Sequence, residues 1–218
     1  MEIKGVIFDL DGVVFDTERL SIETWKRIEK EFNIKIDFNE VFRMMGANFP
    51  DLIGKYASLL GGEELARTIF AWRQNVVDET IIRDGLTPKP GFIELINHLN
   101  ARGLDFALAT SRFAAKLEFV FRHSSIGNPF KHIVTGDMVE KSKPDPEIYI
   151  TAAGKMGLDI RDCMVIEDSW NGITGAIASG AKAVMAVDMY QPDETIIANC
   201  FAVVHSLHEV IDLLQSIQ

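Results

Sequence analysis

Two pairs of acids hold the residues best suited to chemistry. Asp9 and Asp11 lie one residue apart in Asp9-Leu10-Asp11-Gly12-Val13-Val14-Phe15-Asp16-Thr17, and Glu167 and Asp168 close Val165-Ile166-Glu167-Asp168. Both pairs follow apolar, strand-like runs. Gly12 gives the backbone freedom to turn both aspartates toward one cavity. Carboxylates so placed repel each other, so either a divalent cation neutralises them or one of them holds a proton. An Asp-x-Asp after a strand is by itself more often a solvated turn than a catalytic site. A second acidic strand end on the same sheet edge shifts that reading toward Mg²⁺, which prefers hard oxygen ligands and retained waters over a closed protein cage. The expected cofactor is Mg²⁺, and the candidate metal residues are Asp9, Asp11, Glu167 and Asp168.

Two further segments suit an anionic ligand. In Lys141-Ser142-Lys143-Pro144-Asp145-Pro146, the residue before a proline is disfavoured in a helix, which keeps Lys143 on a loop. A loop lysine is ordinarily a solvated charge, but one facing four carboxylates is held as a counter-ion and can balance a nucleophile and phosphoryl oxygens together. Thr110, with the backbone amides of Ser111 and Arg112, stands where a strand gives way to a helix and offers hydroxyl and N–H donors to phosphate oxygens. For Ser111 the alternative role is the N-cap of that helix. Glu18, just after Thr17, could reach a substrate hydroxyl or simply favour a helix N-terminus. Asn48 and Phe49, in a loop between Gly46 and Pro50, are candidates for the far wall of a cleft.

The positioning elements follow from periodicity. Residues 3–8 read as a buried strand running into Asp9, and further strands are expected at 105–110, 132–135, 163–167, 182–187 and 201–204. Helices are expected at 91–102, 113–123, 146–156, 170–179 and 206–216. Strands regularly separated by helices imply an α/β fold with a doubly wound parallel sheet, a Rossmann-like core whose ligands bind beyond the carboxyl ends of the strands. Between Thr17 and Arg83 the spacing turns helical, with Leu20, Ile22, Trp25 and Ile28 on one face and Leu65, Ile69, Trp72 and Val76 on another. Asn33, Gly46, Pro50 and Gly61-Gly62 divide this stretch into roughly four short helices. The expected division is a core of residues 1–16 and 84–218 with an inserted helical cap of residues 17–83.

The totals limit the function classes. In 218 residues, 47% are hydrophobic and 25% charged, which supplies a core and sets aside disordered and fibrous classes. The net charge of −10 repels nucleic acid and anionic membranes, so neither is expected as a partner. A small anionic substrate is still compatible, since one cation and a few aimed donors outweigh a distant average field. Cys163 and Cys200 form no disulfide framework and read as reduced thiols, and the N-terminal apolar run is too short for a signal peptide or a span, so a cytoplasmic protein is expected, a monomer with a dimer left open. Gly175 to Lys182 misses a phosphate-binding loop by one residue, and His205 and His208 have no third ligand nearby.

DLDGVVFDT, the strand-end Thr110, KPDPEIY with Lys143, and VIEDSWNG together resemble, in order, the four motifs of the haloacid-dehalogenase-like superfamily, and the likeness covers nearly the whole chain. It is nearest to the branch of β-phosphoglucomutases and sugar-phosphate phosphatases. The resemblance implies a phosphatase acting on a small phosphorylated metabolite. It makes Asp9 the nucleophile that becomes an aspartyl-phosphate and Asp11 the general acid and base. It also implies that Asp9, the Asp11 backbone carbonyl and Asp168 hold Mg²⁺ with support from Glu167, and that Thr110 and Lys143 hold phosphoryl oxygens. Mutases of this branch carry a cap histidine where this chain reads Leu20-Ser21-Ile22, and a cap arginine where it reads Met44-Met45-Gly46-Ala47-Asn48-Phe49-Pro50. Both departures favour the phosphatase over the mutase. A receiver-like phosphoacceptor module is disfavoured by the helical insertion and by Asp11.

Overall fold

The chain alternates β-branched or apolar runs with amphipathic helices, and a computed structural model, which describes residues 2–46, 53, 54, 56, 57 and 60–217, shows how they assemble. The strands are β1 (Gly5–Phe8), β2 (Asp105–Ala109), β3 (His132–Val134), β4 (Cys163–Glu167), β5 (Lys182–Ala186) and β6 (Ala202–Val204). They form one parallel sheet in the order β3-β2-β1-β4-β5-β6. Chain direction across the sheet reverses between β1 and β4, the switch point beside which ligands of such sheets bind.

The sheet is apolar on both faces, as a parallel sheet must be when helices cover it. Val6, Phe8, Phe106, Leu108, Met164 and Ile166 point into one core, which is closed by α4 (Phe92–Ala101), α5 (Ala114–Arg122) and α9 (Leu207–Ser216). The alternating residues Ile7, Ala107, Ala109 and Val165 point into the other, closed by α6 (Glu147–Lys155), α7 (Trp170–Ser179) and α8 (Glu194–Asn199). Small residues on this second face bring the helices close. A Cβ on Gly175 would stand 3.0 Å from the Pro144 carbonyl oxygen, so glycine lets α7 lie against the Lys143 loop.

Between β1 and α4 lie α1 (Thr17–Glu31), α2 (Phe38–Met44) and α3 (Glu63–Asp84). They bury a third apolar cluster of their own, built on Ile22, Trp25, Ile28, Val41, Ile69 and Phe70. Asn33 ends the first of these segments with φ 49° and Gly62 opens the last with φ 130°, conformations suited to those residue types. The last element is one helix of 22 residues rather than a short one. The expected strands and helices appear within two residues of their bounds. One helix was not foreseen: α8 spans only six residues and buries only Ile196, too little to show a period, although the Asp193 carboxylate caps it by accepting the Ile196 N–H at 2.8 Å.

Candidate active site

Asp9 follows β1 directly, and its N–H donates to the Ile166 carbonyl at 3.1 Å, so the sheet ladder itself holds it beside Glu167 at the end of β4. Asp9, Glu167 and Asp168 are all buried, and one oxygen of each lies within 4.8 Å of the others. Lys143 enters this cluster from its loop. Its Nζ donates to Asp9 Oδ1 at 2.6 Å, Glu167 Oε1 at 2.6 Å and the Ala109 carbonyl at 3.1 Å, with only 1% of the side chain exposed. Burial works against the Lys143 charge, but Asp9 and Glu167 outweigh it and raise its pKa above the ordinary value.

Glu167 is fixed on every side. Its Oε1 also accepts the Tyr149 hydroxyl at 2.7 Å, and its Oε2 accepts the Asp168 N–H at 3.2 Å and the Ser169 hydroxyl at 3.2 Å. A Cβ on Gly172 would stand 1.9 Å from Oε2, so only glycine lets the first turn of α7 pass over the carboxylate. Asp168 differs from its neighbour. Both of its carboxylate oxygens are buried without a hydrogen-bond partner. A buried carboxylate left without donors is costly, and three carboxylates against one lysine leave two negative charges unbalanced. A hard divalent cation meets both needs. The donors are all oxygens and no histidine or cysteine intervenes, so the set fits such an ion and would hold it through Asp9 and Asp168 with Glu167 behind them. Gly12, at φ 77°, packs its backbone against this carboxylate, where a Cβ would fall 1.8 Å from Asp168 Oδ2.

Without a cation the cluster is electrostatically strained. Burial, then Glu167, push the Asp9 carboxyl up to about 7, and burial with Glu18 and Glu167 raises Asp168 well above the usual range. An acid whose pKa rises on folding contributes stability at pH below its unfolded value of about 4 and loses it as pH climbs through the folded value. Chelated protein is therefore expected to melt at progressively lower temperature between about pH 4 and pH 7, and Mg²⁺ should flatten that slope. Thermal unfolding across this range with Mg²⁺ and with chelator measures it; identical slopes would contradict a cation at this cluster.

The Asp11 carboxylate stands apart from this acidic cluster. Arg112 holds it with Nε to Oδ2 at 2.7 Å and Nη2 to Oδ1 at 2.7 Å, and the Thr17 hydroxyl donates to Oδ1 as well. Burial opposes the Asp11 charge, but Arg112 and Thr17 outweigh it and keep the carboxyl below its ordinary pKa. The Arg112 side chain thus has a partner that sequence spacing could not show, because the two residues are 101 positions apart. The Arg112 N–H donates to Thr110 Oγ1 at 3.1 Å, and Thr110 is fully buried at the end of β2. Ser111 is not the helix cap: Phe113 takes that place, and the Asp137 carboxylate accepts the Ala114 N–H at 3.1 Å. The Ser111 hydroxyl instead donates to the Gly46 carbonyl of the helical insertion at 2.6 Å. Asn171 makes a similar contact, donating to the carbonyls of Arg43 at 2.9 Å and Met45 at 2.7 Å.

These contacts close a cleft of about 500 Å³ between sheet edge and insertion, a size usual for small-molecule sites. Asp9, Asp11, Ser111, Arg112 and Asp168 line it from the core, and Glu18, Trp25, Tyr56 and Arg73 from the insertion. Glu18 is buried, its carboxyl makes no hydrogen bond among the described residues, and it is raised to about 8 by burial and then by Asp11. Asn48 and Phe49 lie outside the described residues.

A strand-end aspartate, a strand-end hydroxyl, a buried lysine and an acidic cluster with unfilled oxygens follow one another along the chain in the order of the four motifs and meet at one end of the sheet. The family model for haloacid dehalogenase-like hydrolases matches residues 3–180. The chain belongs to that family. A probable pseudouridine-5'-phosphatase of Drosophila melanogaster is 33% identical over 197 residues, covering 86% of this chain and 83% of the relative. A β-phosphoglucomutase of Bacillus subtilis is also 33% identical, over 199 residues, covering 87% and 85%. The crystal structure of a hydrolase from Pseudomonas syringae superposes with a TM-score of 0.82 at 24% identity, over 98% of this chain and 99% of that one, which shows the shared fold. Among the described residues no helix is long and apolar enough to cross a membrane.

Proposed function

We propose that this enzyme is a Mg²⁺-dependent phosphatase of a small phosphorylated metabolite, with a sugar phosphate as the leading class, acting through an aspartyl-phosphate at Asp9. The observation that carries this is the Lys143 bridge between Asp9 and Glu167 beside the partnerless Asp168 carboxylate. Lys143 occupies Asp9 Oδ1, which leaves Oδ2 to attack phosphorus. An Asp9 oxygen–phosphorus bond forms while the bond to the leaving oxygen breaks, and Asp11 gives that oxygen a proton. Water then attacks the same phosphorus with Asp11 accepting its proton, which releases inorganic phosphate and restores Asp9. Thr110 Oγ1 accepts from the Arg112 N–H, so its own proton remains for a phosphoryl oxygen. Bound at Asp9, Asp168 and the Asp11 carbonyl, with Glu167 in support, Mg²⁺ supplies charge neutralisation. Residues 17–83 act in this reading as a cap domain over a core of residues 1–16 and 84–218.

Asp11 can donate only once Arg112 loosens its two contacts, so an arriving substrate has to compete for that guanidinium. Asp11→Ala should cost about 10²- to 10⁴-fold in turnover of an alkyl phosphate. The loss should be smaller on p-nitrophenyl phosphate, whose leaving group needs no proton. Steady-state kinetics on both substrates measures the difference, and equal losses would remove Asp11 as the acid.

The mutase reading draws on the 33% identity to the Bacillus enzyme. Against it, Leu20-Ser21-Ile22 offers no histidine where the mutases carry one, so that stretch holds no group that exchanges a proton with a sugar near neutral pH. Phosphate release from a panel of sugar phosphates and nucleotides, with Mg²⁺ and with chelator and beside a glucose 1-phosphate isomerisation assay, separates the two. Metal-dependent release supports the phosphatase, and isomerisation without release replaces it with the mutase.

A further inference from the structure

Among the described residues three cations line the cleft, and two of them have carboxylate partners. Arg112 is paired with Asp11, and Lys116 with Asp78 at 2.7 Å. The third, Arg73 on α3, makes no ion pair among the described residues, and its buried Nε has no hydrogen-bond partner. Its guanidinium is nonetheless held in place: Nη2 donates to Ser21 Oγ at 2.5 Å, and its carbon lies 5.2 Å over the Trp25 ring. Trp25 is itself fixed, stacked on Tyr56 at 5.0 Å and 22° and met edge-on by Phe70 at 5.7 Å. With a guanidinium and a phenol ring already packed on it, Trp25 is a support for Arg73 more than a platform for a ligand ring.

A partly buried guanidinium without a counter-ion pays a desolvation cost that no ion pair among the described residues repays. Glu18 offsets this charge most among the protein's groups, but it stands beyond ion-pair distance and burial favours its neutral form. The chemistry that completes such a site is a planar or tetrahedral oxyanion, which a rigid guanidinium matches with paired N–H donors.

We infer that Arg73 selects the leaving group, and that the substrate carries a second oxyanion, a carboxylate or a further phosphate, at the end remote from the phosphoryl group transferred to Asp9. This rests on the phosphatase reading for which end of the substrate reacts. A neutral polyol would leave Arg73 unpaired in a closed cleft. A substrate with an oxyanion at that end gains a charge-assisted contact there while its other end meets Asp9 and Lys143.

The test is equilibrium binding by calorimetry to the full-length Asp9→Asn protein with Mg²⁺, so that no turnover is needed. The matched probes are 3-phosphoglycerate against glycerol 3-phosphate for the carboxylate, and glucose 1,6-bisphosphate against glucose 6-phosphate for the second phosphate. One oxyanion-bearing member should bind about 10- to 100-fold tighter than its partner, the range of a hydrogen bond to a charged group, and the pair that shows it identifies the oxyanion. Adding Arg73→Met should collapse that ratio toward one, and Arg73→Lys should restore part of it. Equal binding within both pairs overturns the inference, as does a preference that survives Arg73→Met in a protein with unchanged thermal unfolding. Hydrolysis of p-nitrophenyl phosphate by the unsubstituted enzyme, measured in parallel, reports separately on the phosphatase reading.

Discussion

Asp9→Asn is expected to lower turnover by about four to six orders of magnitude, the scale on which enzymes lose activity when a member of the attacking unit is removed. The amide keeps the size of the carboxylate and can still accept the Lys143 ammonium through its oxygen, so what disappears is the proposed nucleophile and metal ligand rather than the packing. The Asp9 N–H bond to the Ile166 carbonyl at 3.1 Å belongs to the backbone and is untouched. In chelated protein above pH 7 the substitution should even raise the unfolding temperature, because it removes a carboxylate whose charge burial and Glu167 already disfavour. Substantial activity in a variant that unfolds normally would remove Asp9 as nucleophile.

Lys143→Met should have the largest effect on stability. The ammonium is the only cation within hydrogen-bond reach of Asp9 and Glu167 among the described residues, and both partners are buried with it. Removing one member of a buried ionic cluster strands the others, at about 3–5 kcal/mol, or roughly 6–20 °C in unfolding temperature for a chain of this size. Protonation of the stranded Asp9, whose carboxyl burial and then Glu167 already push up to about 7, softens the penalty, so it should be smaller at pH 5 than at pH 8. Turnover should fall about 10²- to 10³-fold as well, through loss of a preorganised charge at the phosphoryl site. Denaturation curves at the two pH values test the first effect. A variant as stable as the parent at pH 8 would show that Lys143 is not the counter-ion this geometry describes.

The fold was legible because a parallel sheet under two layers of helices writes itself in runs: 163–167 is apolar until it meets Glu167, and 170–179 then turns to helical spacing. The strand-end acids and Thr110 were legible for the same reason, since the end of each run marks where its side chains leave the core, while Lys143 was legible from the proline after it, which keeps it on a loop. What escaped were partnerships across long separations. The Arg112 grip on Asp11, the Tyr149 hydroxyl on Glu167 and the Asn171 bonds to the insertion each join residues from different elements, and no local period records them. Gly172 reads as an ordinary helical glycine until the carboxylate under it is seen. The short α8 escaped for want of enough buried residues to make a stripe.

Phosphoryl groups passing through Asp9 would leave a trappable acyl phosphate there. Reaction with p-nitrophenyl phosphate and Mg²⁺, rapid acid quenching and borohydride reduction would convert an aspartyl-phosphate to homoserine, which peptide mass spectrometry can locate. Homoserine is expected at position 9, formed with Mg²⁺ and absent with chelator or in Asp9→Asn. Release of phosphate with homoserine at another aspartate, or with an unmodified Asp9 throughout the turnover, would contradict it.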